Sequence, residues 1–153
     1  MFILGLAVSC AGPTIYHRGD LFGGYADKNE GLGAYEVSFT AQNRPYAFAR
    51  QCAYYHAAEV AFYNGFRYFS VVKEDEPAGA ADATQKSLSK GSDRDVQTAV
   101  IHIQCYTQRP AGTCYDAYQC LDQVKIPGSE AFYTVAQRQV DMAVSQLKNK
   151  RTF

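Results

Sequence analysis

The chain has no tryptophan and no excess of charge of either sign: lysine plus arginine and aspartate plus glutamate number 15 each among 153 residues. A balanced chain carries no global field to draw it onto nucleic acid or an acidic membrane face, so a nucleic-acid partner is not expected. No C-x-x-C or H-x-x-x-H spacing occurs, and His17, His56 and His102 fall on different predicted elements, so no zinc site is expected. The glycine-rich stretches lack the lysine and strand context of a phosphate-binding loop. No cofactor is expected on these grounds.

What is present is a globular composition, 47% hydrophobic and 20% charged, too apolar for a disordered chain and long enough for one core. Aromatic content rests on 12 tyrosines and 9 phenylalanines. Tyr46, Tyr54, Tyr55, Tyr63 and Tyr68 crowd one stretch, and a tyrosine packs its ring while its hydroxyl reaches water or a partner. A tyrosine-rich face suits a protein, peptide or glycan partner.

The N-terminus is apolar from Phe2 to Val8 and breaks at Ser9-Cys10-Ala11-Gly12-Pro13. That run is too short to cross a bilayer, which needs about 20 residues, and small residues before a break mark the end of a signal peptide. Ala7-Val8-Ser9-Cys10 resembles a bacterial lipoprotein signal, with Ala7 where leucine is preferred. The resemblance implies lipidation of Cys10, membrane attachment through that lipid and, with Ala11 after the cysteine, the outer membrane facing the periplasm. A charged region and further apolar residues are expected before Met1, since a signal carries both.

With Cys10 lipidated, Cys52, Cys105, Cys114 and Cys120 remain, an even set compatible with disulfides in an oxidising compartment. The sequence leaves their pairing open. Proximity favours a bridge within Cys105, Cys114 and Cys120, with Cys52 a buried thiol.

Residues 11–33 hold Gly12, Gly19, Gly23, Gly24, Gly31 and Gly33 with little periodicity and are expected to be a tether, leaving residues 34–153 as one domain. Tyr35, Val37 and Phe39 alternate with polar residues as in a half-buried strand. Pro45 opens a helix running to Tyr63, with Ala49, Ala53, Ala57 and Val60 at helical spacing, and Asn64-Gly65 stops it. A strand over 66–73 follows. Residues 75–94 are expected to form a mobile solvated loop. Over 96–108 a strand places Ala99, Ile101, Ile103 and Cys105 on one face. A short helix over 115–122 precedes a long amphipathic one, capped by Ser129, with Phe132, Ala136, Val140, Ala143 and Leu147 as its apolar stripe. The fold class is α+β: a sheet of three to four strands packed by a central helix in a β-α-β-β core, with a C-terminal amphipathic helix.

Gly23-Gly24-Tyr25, Tyr35-x-Val37-x-Phe39, Ala57-Ala58-Glu59, Asn64-Gly65-Phe66-Arg67-Tyr68-Phe69 and Tyr115-Asp116-Ala117 together resemble the small uncharacterised lipoproteins of Gram-negative bacteria, from about Gly23 to Leu121. The chain departs from that pattern in His56, where arginine is usual, in its extra cysteines and in the helix after Ser129. The resemblance implies an envelope location and assigns no activity.

Two functions compete, beside a third reading of the chain as a secreted effector-like or cytosolic protein with an unprocessed N-terminus. In the first, a non-enzymatic envelope lipoprotein binds or scaffolds another envelope component, protein or glycan, through its tyrosines. In the second, Cys52 and His56, four apart on one helix face, form the thiolate–imidazole pair of a periplasmic enzyme, although no orienting carboxylate or oxyanion motif accompanies them. Glu59, amid Ala57, Ala58, Val60 and Ala61, needs a basic partner, for which Arg67 is the nearest candidate.

Overall fold

Alternation in a strand sends every second side chain to one face. In the computed structural model Tyr35, Val37 and Phe39 accordingly meet Ile103, Ile101 and Ala99 across a strand pair, all of them buried. The structure describes residues 16–20, 23–77, 96–124, 126 and 135–150. Their elements are β1 (Gly24–Gly31), β2 (Ala34–Gln42), α1 (Tyr46–Tyr63), β3 (Tyr68–Glu74), β4 (Val96–Tyr106), β5 (Tyr115–Asp116), α2 (Ala117–Gln123) and α3 (Val135–Lys150). The strands make one antiparallel sheet in the order β1-β2-β4-β3-β5. The α+β class holds, with five strands where three to four were expected. Since β2 and β3 both pair antiparallel with β4, they run parallel to each other, and α1 is the crossover between them.

Helix α1 lies on the buried face of β2 and β4 and packs also against α2. From Tyr55 to Phe62 every residue is buried, as expected of a helix enclosed on all sides. Its end is set by Gly65 at φ +82°. Phe66 N–H donates to Ala61 at 2.8 Å and Gly65 N–H to Phe62 at 3.1 Å, the paired bonds that close a helix through a left-handed residue. Asp116 then starts α2 by accepting from the Tyr118 and Gln119 amides at 3.0 and 3.3 Å, so the short helix expected from Tyr115 begins after a two-residue strand.

The tether expected over 11–33 is corrected from Gly24 onward. Gly24–Gly31 pairs with β2 as an edge strand; six of its eight residues are exposed, which removes the apolar alternation that would have announced it. Tyr16 to Asp20 dock beside it through the bridges Arg18–Tyr25 and Asp20–Gly23. Gly24 permits this at φ +106°, because a Cβ there would stand 2.5 Å from the His17 carbonyl oxygen.

Helix α3 is also turned from its expected orientation. Ala136, Val140 and Ala143 are exposed, while Val135 and Arg138 are buried and Met142 is half-buried against the core. These three members of the expected stripe face outward, and the side turned inward carries Arg138 to Glu59. The signal-like segment 1–10 with Cys10, the loop from residue 78 to 94, Ser129 and Phe132 lie outside the described residues, as does the side chain of Leu147. Among the described residues no helix is long and apolar enough to cross a membrane.

Candidate functional site

A buried ionisable group must be paired and hydrogen-bonded to remain charged. Helix α1 buries His56 and Glu59 one turn apart, and three separate parts of the chain converge on them. From β1, Asp27 Oδ1 meets His56 Nε2 at 2.7 Å. From the segment before β1, the Tyr16 hydroxyl donates to Glu59 Oε2 and lies 3.3 Å from His56 Nδ1; that nitrogen is 3.1 Å from Glu59 Oε2. From α3, Arg138 donates through Nη1 to Glu59 Oε1 at 3.1 Å and to the Tyr63 hydroxyl at 2.8 Å, and through Nη2 to the Tyr55 hydroxyl at 2.8 Å. Arg138 is 4% exposed. Tyr25 stacks on the His56 ring at 4.1 Å and on Tyr16 at 4.9 Å.

These groups tune one another. Burial disfavours the imidazolium of His56, but its hydrogen bonds with Asp27 and Glu59 outweigh burial and raise the pKa above the ordinary 6.5. The same bond from His56 holds Asp27 below the usual carboxylate range, against the opposing effect of burial. Burial and then the Glu59 charge push Tyr16 above the ordinary phenol range, so it acts as a donor.

The network opens on a cleft of about 220 Å³ lined by Tyr25, Asp27, His56, Glu59, Tyr63 and Arg138. Asp27 and Tyr63 are its solvent-facing groups, with 43% of the Asp27 side chain and 48% of Tyr63 exposed. Aromatic rings beside a carboxylate suit a ligand with an apolar face and hydroxyl or ammonium donors.

The predicted Cys52–His56 pair is not assembled. Both ring nitrogens of His56 are engaged by Asp27, Glu59 and Tyr16. Cys52 is fully buried, and burial pushes its thiol up to about 12, the reverse of an activated nucleophile. The bridge expected within Cys105, Cys114 and Cys120 is not formed; these three and Cys52 are free thiols. Arg67 does not serve Glu59 but pairs with Asp116 at 3.2 Å. The tyrosines are drawn to different charged partners instead of forming one face. Tyr55 and Tyr63 join Arg138, whereas the Tyr54 hydroxyl donates to Glu74 at 3.1 Å, where Glu74 also holds Arg50.

Comparison with models of protein families, with curated proteins and with solved structures returns no match. The site is therefore read from its own chemistry. Sequence reasoning missed Tyr16, Asp27 and Arg138, because each lies in a stretch without apolar periodicity or on the polar side of a helix and reaches its partner across tens of residues; the signal that pointed toward them was Glu59 itself, a carboxylate on an apolar helix.

A further group stands on the sheet face away from α1. Glu36 on β2 and His102 on β4 are direct cross-strand partners, and Glu30 comes over them from the bulge between Asn29 and Gly31. One donor atom from each lies within 4.8 Å of the others. The histidine spacing gave no sign of this group, which strand register brings together.

Proposed function

We propose that this chain is a lipid-anchored, non-enzymatic protein of the bacterial envelope, held at the outer membrane on the periplasmic side through Cys10, whose domain binds or scaffolds another envelope component. The resemblance to small lipoproteins of Gram-negative bacteria and the small residues before Cys10 support the location. The observation that carries the binding role is the cleft at Tyr25, Asp27 and Tyr63, backed by a buried network in which Asp27, His56, Glu59 and Arg138 are tied to one another. Such a wall holds its shape and leaves Asp27 and Tyr63 to meet a ligand. A glycan bearing amino or hydroxyl donors fits these two groups best. The internal engagement of His56 and the burial of Cys52 favour this reading over a periplasmic enzyme.

The test has two parts. Expressed with its native N-terminus in a Gram-negative bacterium, the protein gains the mass of a lipid and fractionates with the outer membrane, and Cys10→Ala abolishes both. Soluble peptidoglycan fragments added to the purified protein give saturation-transfer signals that weaken at least tenfold in Tyr63→Ala and Asp27→Ala. An unmodified soluble chain overturns the anchor; absent or variant-insensitive signals overturn the glycan site.

A further inference from the structure

The geometry points to a divalent transition-metal site of the zinc and cobalt type formed by Glu30, Glu36 and His102 on the open face of the sheet. Two carboxylates and an imidazole are a mixed oxygen–nitrogen donor set suited to these ions. Bonds of about 2.0–2.2 Å to a tetrahedral ion place its ligands roughly 3.4 Å apart, so donors already within 4.8 Å need to close by little. The three donors are fixed by backbone: Glu36 and His102 by register, and Glu30 by the bulge, where Asn29 Oδ1 accepts from the Gly31 amide at 2.7 Å.

A third carboxylate, Asp75, completes the arrangement. Glu30 Oε2 lies 3.5 Å from His102 Nδ1, while Asp75 Oδ2 stands 3.8 Å from Nε2 on the other side of the ring. An imidazole that binds a metal through one nitrogen and faces a carboxylate with the other has its tautomer and orientation set for ligation. Of the neighbouring cations, Lys73 is paired with Asp75 at 2.5 Å, and Lys28 is the direct cross-strand partner of Glu36, so a bound dication competes with Lys28 for that carboxylate. Three protein ligands leave one coordination position open to water or substrate oxygen.

Untagged, reduced full-length protein titrated with Co²⁺ at neutral pH, read by visible absorption, tests the site. The expected result is one saturating equivalent, displaced by Zn²⁺, weakened at least tenfold by His102→Gln and by Glu36→Gln, and about tenfold by Asp75→Asn. Circular dichroism checks that each variant is folded, and Glu30→Gln, at the exposed edge, serves where another is not. Absence of saturable absorption, binding indifferent to these substitutions, or an intense thiolate-to-cobalt band lost in Cys114→Ser overturns the assignment.

Discussion

His56 Nε2 and Asp27 Oδ1 meet at 2.7 Å, joining the middle of α1 to the edge strand β1. An edge strand this exposed contributes few apolar contacts, so its attachment depends on this bond, on pairing with β2 and on the ring of Tyr25 lying over His56. The same imidazole touches Glu59, whose other oxygen holds Arg138 of α3. One buried pair of side chains on α1 thereby fixes both ends of the described chain.

Removal of Arg138 should be the most damaging substitution at the site. Arg138→Met leaves Glu59 buried without its guanidinium and costs of the order of 3 kcal/mol, toward the lower end of the range because His56 still faces Glu59. Adding Glu59→Gln removes the stranded charge, so the double variant regains part of the loss. Urea unfolding of both single variants and the double gives the coupling directly.

The pH dependence of stability follows from two shifts of opposite sign. His56 has a raised pKa, so its contribution is fully present below the ordinary 6.5 and is lost as pH rises through the folded value. Asp27 is lowered, so its contribution is present above the ordinary 3.8 and lost as pH falls through the folded value. Stability from this pair is greatest in mild acid. Denaturant midpoints measured across pH should fall on the alkaline side in the wild type, and His56→Asn should flatten that limb.

The cysteines should differ in reactivity. Burial raises Cys52 and Cys105 to about 12, so both resist iodoacetamide at neutral pH in the native protein, while half-buried Cys114 is alkylated first among the four described cysteines. Peptide mapping after a timed pulse reads the order. Labelling of native Cys52 at the rate of a free thiol contradicts the described packing.

Gly24 should not tolerate a side chain. Gly24→Ala meets the His17 and Arg18 backbone at 2.5 and 2.8 Å and forces a non-glycine residue to φ +106°. A loss of about 1–3 kcal/mol is expected from such strain, with Tyr16 released from Glu59. Hydrogen exchange at the Tyr25 amide, bonded to His17 at 2.8 Å, should accelerate more than exchange in β4.

Much of the framework was legible in the sequence because it is set by neighbours a few residues apart. The period-two pattern of β2 and β4 named residues that are all buried, and Ala49, Ala53, Ala57 and Val60 marked the inner side of α1. Asn64-Gly65 ended that helix through glycine's freedom at positive φ. The edge strand was not legible, since a strand that faces solvent on most positions carries no alternation to read.

Tertiary structure decided what these local patterns leave open. The apolar stripe of α3 specified a helix but not its rotation, and Arg138 turned the opposite side inward because an enclosed Glu59 demands a charged partner. Cys52 and His56 shared a helix face by spacing, yet the ring nitrogens went to Asp27, Glu59 and Tyr16. Glu36 and His102 became neighbours through register alone. Periodicity fixes which residues share a face; pairing of buried charge, which acts across any sequence distance, decides what that face meets.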